Sequence, residues 1–249
     1  MGLFDRTAKY LAAGPTLLVP ANRVDDVGEL LHRYDPHVKV KNDRFFFDNG
    51  VFLYGPVETS EPGIVGYYAR PAWLPKHEDR AESAKLLDGE RLVRGLAVRL
   101  NGGKQSEQPW ADLDLGVSVY AATSLPVEQV IAILQPFAGD EAGRELVVDD
   151  EGADDYILGS YLEPVFLTVF WPAYLSKARE ARPALATGAT RKQEMCRWEL
   201  RTAPHAATAD LALCRLLAEA ALALAAPTNG IVVDMYGFPI TTPDELLPS

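Results

Sequence analysis

The chain has 249 residues, of which 48% are hydrophobic, 24% charged and 9% aromatic. This composition is typical of a globular protein, and it excludes fibrous, collagen-like and wholly disordered chains. The 24 basic and 35 acidic residues give a formal net charge of −11. General nucleic-acid binding is therefore not expected, because neutralising phosphates requires surplus basic charge.

The sequence predicts a cytoplasmic protein with no membrane segment. Its N-terminal residues carry charges and lack the apolar run that a signal peptide requires. The apolar stretch Leu211–Ala226 is interrupted by Arg215 and Glu219 and is shorter than the roughly 20 residues that cross a bilayer, so it is interpreted as a core helix. In the cytoplasm the two cysteines, Cys196 and Cys214, are expected to stay reduced.

Two parts of the sequence repeat one pattern at an offset of 100 residues. Leu17–Ala21 aligns with Val117–Ala121, and the apolar positions that follow at helical spacing in the first copy are matched in the second. Further along, Gly95–Gly102 resembles Gly230–Gly237 at an offset of 135 residues. Because these matches occur in the same order and preserve the hydrophobic pattern, we expect a tandem duplication.

In chain order, each copy is predicted to contain a strand, a helix, two or three strands, a second helix and a closing strand. The first copy assigns these to Thr16–Ala21, Val24–Tyr34, Arg44–Phe47 with Val51–Tyr54, Ile64–Ala69, Glu78–Arg94 and Leu96–Leu100. The second assigns them to Val117–Ala121, Pro126–Leu134, Tyr156–Gly159, Val165–Trp171, Cys196–Arg201, Ala209–Ala226 and Ile231–Met235. This order is close to βαββαβ, the ferredoxin-like order.

The predicted fold class is therefore α+β: a tandem duplication of a ferredoxin-like unit, with antiparallel sheets that carry helices on one face. The first repeat covers residues 1–103 and the second 114–249, with a linker at 104–113 rich in Gly, Gln and Ser. Because each sheet is covered on one side only, the bare faces or edges of the repeats are expected to meet across a pseudo-two-fold axis.

The second repeat carries an inserted basic segment at about 178–195. From Ser176 to Arg201 there are seven basic and three acidic residues. Such a local excess of positive charge would steer an acidic partner to this place, although a solvated surface loop is the simpler alternative. The candidate partner-binding residues are Arg179, Arg182, Arg191 and Lys192.

A repeated Pro-Ala-Trp/Tyr-Leu-x-Lys motif, at Pro71–Lys76 and Pro172–Lys177, supplies candidate ligand-binding residues. Aromatic and basic side chains together can hold an anionic or planar ligand. In the alternative interpretation, the proline ends a strand while the aromatic residue and the leucine fill the core. The candidates are Arg70, Trp73, Lys76, Trp171, Tyr174 and Lys177.

The sequence assigns no catalytic residue, no metal ligand and no cofactor. Its four histidines form no His-Glu-x-x-His motif, and Cys196, His205 and Cys214 lack the Cys-x-x-Cys spacing typical of zinc sites. We therefore expect a non-enzymatic, acidic cytoplasmic binding protein that recognises a macromolecular partner, a protein of the immunity, antitoxin or regulatory type. The alternative is a small-molecule-binding protein or enzyme with a pocket at the junction of the repeats. The oligomeric state is left open.

Overall fold

A computed structural model describes residues 14–47, 50–71, 80–100, 104–105, 116–138, 146–150, 156–159, 168–170, 176–177, 194–201 and 211–246. The chain divides into two compact units, Met1–Asp112 and Leu113–Ser249. The described elements are α-helices and antiparallel sheets, so the α+β class predicted from the sequence is confirmed.

The first unit contains six strands and two α-helices among its described residues. In chain order they are β1 (Thr16–Pro20), α1 (Val24–Tyr34), β2 (Lys39–Val40), β3 (Arg44–Phe46), β4 (Val51–Glu58), β5 (Ile64–Pro71), α2 (Arg80–Arg99) and β6 (Lys104–Gln105). The sheet order is β2-β3-β4-β5-β1-β6, with antiparallel pairing throughout. The central strand β1 therefore lies between the last strand of a meander and the closing strand.

One face of this sheet forms the core of the first unit. Leu17 and Val19 of β1 alternate with less buried neighbours and are fully buried, as is Leu53 of β4. Helix α2 packs on this face: a Cβ placed at Gly89 would lie 3.3 Å from the Cβ of Ala69 in β5. The period-two alternation of the strands thus puts one set of side chains under the helix and leaves the other set on the opposite face.

The second unit contains eight strands and two α-helices among its described residues. They are β7 (Gly116–Ala121), α3 (Val127–Ala138), β8 (Val147–Asp150), β9 (Tyr156–Gly159), β10 (Thr168–Phe170), β11 (Ser176–Lys177), β12 (Glu194–Arg201), α4 (Leu211–Ala225), β13 (Ile231–Asp234) and β14 (Pro239–Ile240). The sheet order is β14-β13-β7-β12-β10-β9-β8, and β11 pairs with β12.

Helix α4 belongs to the core of the second unit. Leu217 and Leu224 are buried together with Trp198 of β12 and Val119 of β7. By length and composition alone, the described stretch Leu211–Thr228 could cross a membrane. Its buried side chains instead pack against the sheet, as the core-helix interpretation predicted.

The predicted closing strand of the first repeat, Leu96–Leu100, is wrong. Leu96 lies within α2, where Leu92, Val93 and Leu96 are buried at helical spacing. The resemblance between Gly95–Gly102 and Gly230–Gly237 therefore aligns the end of a helix with β13. The closing strand is instead β6, which lies at the start of the stretch predicted to be a linker.

The sequence also predicted too few strands between the helices of each unit. The structure has four consecutive antiparallel partners in each: β2 to β5 in the first unit, and β8, β9, β10 and β12 in the second. β2 has only two residues, too few to show an alternating pattern. The turn that joins it to β3 depends on Asn42 and Asp43, which both have positive φ angles.

Candidate binding surface of the first unit

Most of the candidate site residues lie outside the part of the chain that the structure describes, and their roles stay predictions. They are Trp73, Lys76, Trp171, Tyr174, Arg179, Arg182, Arg191 and Lys192. Lys177 is the last residue of β11. In the register of the two strands, it lies opposite Glu194 of β12. Arg70 is the remaining candidate, and its surroundings can be described.

Arg70 is a buried cation near the end of β5, with 2% of its surface exposed. It lies opposite Phe52 of β4, and its Nη1 donates a hydrogen bond to the carbonyl oxygen of Ala69. The guanidinium packs against Gly14, because a Cβ there would lie only 2.8 Å from the Arg70 Cζ. Arg70 is thus held within the first unit.

The two copies of the Pro-Ala-Trp/Tyr-Leu-x-Lys motif follow strands at different places in the two sheets. Pro71 ends β5, which pairs with the central strand β1. The second motif begins after Phe170 of β10, and β10 pairs with β9 and β12 rather than with the central strand β7. The strand that occupies the place of β5 in the second unit is β12.

A group of aromatic and basic residues shares one face of the first sheet. This face points away from α2, which packs on the other side. Strand register pairs Lys39 with Phe46, Phe46 with Phe52, Arg44 with Tyr54, and Tyr54 with Tyr68. Since directly paired residues point to the same side of a sheet, these side chains form one surface. We call it the aromatic face; it consists of Lys39, Arg44, Phe46, Phe52, Tyr54 and Tyr68.

Arg44 lies across the rings of this surface. Its Cζ is 5.7 Å from the ring centroid of Phe52 and 5.5 Å from that of Tyr54, within the range of cation–π attraction. Phe46 and Phe52 are also in contact, with ring centroids 5.9 Å apart and planes tilted by 38°. Arg44 is exposed, so its guanidinium is held over the rings while remaining accessible.

A glycine makes room for the fourth ring. A Cβ placed at Gly66 would lie 3.0 Å from the Tyr68 Oη and 3.2 Å from its Cε2. The ring of Tyr68 therefore lies along β5, over Gly66. Phe46, Tyr54 and Tyr68 are half-buried, and Phe52 is 8% exposed.

The charges on this side of the sheet have one sign. At the described strand positions that share the face, the charged residues are Lys39, Arg44, Arg70 and Lys104. The first unit as a whole has 15 basic and 16 acidic residues, a net charge of −1, whereas the second has nine and 19, a net charge of −10. Nearly all of the net negative charge of the chain therefore belongs to the second unit.

The corresponding face of the second sheet also carries arginines, but they are paired. Arg197 Nη2 donates to Glu199 Oε2 at 2.9 Å, and Arg201 Nε donates to Glu199 Oε1 at 2.7 Å. Arg197 also lies over the ring of Tyr120, with its Cζ 5.8 Å from the centroid, and its Nε donates to Ser118 Oγ at 3.3 Å. The glutamate neutralises one of the two cations here.

Sequence reasoning missed the aromatic face, although a signal was present. Arg44-Phe45-Phe46, Phe52-Leu53-Tyr54 and Tyr68-Ala69-Arg70 place aromatic or basic residues at alternate positions in three strands. Alternation of this kind puts those residues on one side of each strand. Which strands are neighbours, and in what register, could not be read from the alternation.

Neither known families nor known structures supply a function for these residues. No family model, no curated protein and no solved structure matches the chain. Within the described residues, no three His, Cys, Asp or Glu side chains are grouped so that they could hold a metal ion.

Proposed function

We propose that this chain is a non-enzymatic cytoplasmic binding protein that recognises a protein partner through the aromatic face of its first unit. The observation that supports this proposal is the position of Arg44: an exposed guanidinium over two rings, with no ion pair among the described residues. Aromatic residues and arginine are enriched at the cores of protein interfaces, and Tyr and Arg are enriched among the few residues that dominate the binding energy. A surface that combines aromatic residues and arginine is therefore expected to bind a protein partner.

We further propose that the two units arose by duplication of one ferredoxin-like unit. Two features support this. Each central strand, β1 or β7, lies between the last meander strand and the strand that follows the second helix. In addition, Leu17 and Val19 of β1 are buried, as are Val117 and Val119 at an offset of 100 residues. One copy would then have kept a surface that the other neutralised.

The proposal is tested by affinity capture of the tagged full-length chain from its native host at low salt, followed by mass spectrometry. The wild-type chain is compared with Arg44→Glu and with a matched control, Arg91→Glu. Arg91 is an exposed residue of α2, the helix on the other side of the same sheet. We expect one protein, in near-equal amount, with the wild type and with the control, and its loss from Arg44→Glu.

Two outcomes would count against the proposal. An empty capture would favour the alternative of a small-molecule site, for which a ligand-dependent rise in melting temperature is the next measurement. A stoichiometric partner retained equally by all three chains would show that binding occurs elsewhere, and the basic segment with Arg179, Arg182, Arg191 and Lys192 would be substituted next.

A further inference from the structure

Resting on the proposed function, we infer that the partner presents an extended apolar segment with one or two acidic side chains, and that a carboxylate of this segment pairs with Arg44. The aromatic face would take the apolar side chains. The guanidinium of Arg44, held over Phe52 and Tyr54, would take the carboxylate.

The acidic side chain of the partner is inferred from charge complementarity. Lys39 and Arg44 are exposed, and the described strand positions on this face carry no acidic side chain. A guanidinium offers two parallel N–H donors that match a carboxylate, and such charge-assisted pairs are stronger than neutral hydrogen bonds. Because the rings already fix its position, Arg44 loses little side-chain freedom when it forms the pair.

The apolar side chains of the partner are inferred from the exposed parts of the aromatic rings. Phe46, Tyr54 and Tyr68 are half-buried on three neighbouring strands, so each keeps part of its ring surface for contact with a partner. Aromatic side chains are rigid and present large contact areas, which is why they are enriched at interfaces. An apolar side chain of the partner would cover these rings and exclude water around the Arg44 pair.

A second copy of this chain is a poor occupant of the same surface. Two-fold pairing brings a patch into contact with itself. Here Lys39 and Arg44 would face their own counterparts or each other, and like charges opposed across an interface cost several kcal/mol.

A single-stranded nucleic acid also fits less well, although its bases could stack on the rings. The two cations that the structure describes as exposed on this face, Lys39 and Arg44, would neutralise about two phosphates, so their counterion release would contribute little to affinity. Every further nucleotide would bring another negative charge to a chain that carries −11. A segment with one or two carboxylates instead matches Lys39 and Arg44, the cations described as exposed on this face.

The experiment uses a random 12-residue peptide library displayed on phage, selected on the full-length chain and counter-selected on Arg44→Glu. We expect the enriched peptides to carry Asp or Glu beside hydrophobic residues. The best peptide is then synthesised with each Asp or Glu replaced by Asn or Gln. That replacement should weaken its binding by roughly 10- to 100-fold, the range for one charge-assisted hydrogen bond.

Two further variants separate the contribution of the two parallel N–H donors of Arg44 from that of the position of the Tyr68 ring. Arg44→Lys keeps the charge but loses the two-pronged donor, so binding should fall less than in Arg44→Glu but still measurably. Gly66→Ala keeps every charge and forces the Tyr68 ring to move, since the new Cβ would lie 3.0 to 3.2 Å from it. A lower affinity for the same peptide is expected, with the Arg91→Glu control unchanged.

The inference is overturned if the enriched peptides lack acidic residues or bind Arg44→Glu equally well. Binding of a 15-nucleotide dT oligomer that displaces the peptide and is lost in Arg44→Glu would assign the surface to nucleic acid instead. Self-association in sedimentation experiments that is lost in Arg44→Glu would assign it to a second copy. If capture yields a partner that needs Arg44 but peptide binding needs no carboxylate, only the inference fails; if neither is seen, the proposed function fails as well.

Discussion

The two sheets differ most instructively at one register position. In the first unit Gly66 lies opposite Leu18 of the central strand, and in the second Glu199 lies opposite Ser118. The glycine leaves space for the ring of Tyr68, whereas the glutamate accepts hydrogen bonds from two arginines. The same strand order thus presents an aromatic, basic surface in one unit and an ion-paired surface in the other.

The second helices of the two units show the same kind of contrast. Each contains an acidic and a basic residue four positions apart: Glu90 and Arg94 in α2, and Arg215 and Glu219 in α4. The side chains of Glu90 and Arg94 are 1% and 10% exposed, whereas those of Arg215 and Glu219 are 61% and 43% exposed. Similar sequence spacing therefore places one pair inside the protein and the other in solvent.

The largest expected effect comes from breaking the buried pair. Glu90→Ala removes the acceptor of a 2.9 Å bond and leaves Arg94 as an uncompensated buried charge, which should lower the free energy of unfolding by about 3–5 kcal/mol. Glu219→Ala should change it by less than about 1 kcal/mol, because exposed pairs contribute little. Urea unfolding of both variants checks the difference.

A double variant, Glu90→Leu with Arg94→Met, keeps the volume but removes both charges. Its free energy of unfolding should recover most of the loss, since replacing a buried pair with apolar side chains is often neutral. If Glu90→Ala and Glu219→Ala cost the same, burial does not distinguish the two pairs, and the comparison between the helices fails.

The next effect concerns the buried position opposite the central strand. Tyr67 lies opposite Leu17 in the first unit, where the second unit has Leu200 opposite Val117. Burial, with a smaller contribution from the charge of Asp25, raises the pKa of Tyr67 to about 12 from its usual value of 10.0. The neutral phenol is therefore favoured in the folded state.

The pH dependence follows from the direction of this shift. Below pH 10 the phenol is protonated in both states, so its ionisation does not affect stability. Between pH 10 and 12 the unfolded chain loses the proton while the folded chain keeps it, and stability falls by about 1.4 kcal/mol per pH unit. In Tyr67→Phe this contribution disappears. Unfolding of both chains at pH 9 to 12 measures it; parallel curves would contradict the prediction.

The smallest expected effect on stability comes from the aromatic face itself. Arg44→Glu changes an exposed residue and should alter the free energy of unfolding by no more than about 1 kcal/mol, the sum of a surface substitution and a weak cation–π contact. Partner binding should nevertheless be lost. Arg201→Glu, on the corresponding face of the second unit, should leave binding intact. Equal loss of binding in the two variants, with thermal unfolding as the check on folding, would show that the units do not differ in function.

Sequence periodicity predicted several elements correctly. The helix at Val24–Tyr34 and the strand at Tyr156–Gly159 have the bounds that the structure gives them, because apolar residues recur there at helical spacing or fill a short β-forming run. The end of α2 was missed, since Leu96–Leu100 is apolar enough to resemble a strand. β2 was missed because two residues are too few to show the alternation of apolar and polar residues that is typical of a strand.

By itself the sequence determined the α+β class, the core helix, which it predicted at Ala209–Ala226, and the alternation that separates the two sides of each strand. These depend on residues close together in the chain, so their patterns are readable directly. Only the tertiary structure decided that β4 and β5 are neighbours, that Arg44 lies over Phe52 and Tyr54, and that Gly66 and Glu199 hold corresponding places. Strand pairing and register join residues distant in sequence, and local pattern does not specify which partners meet.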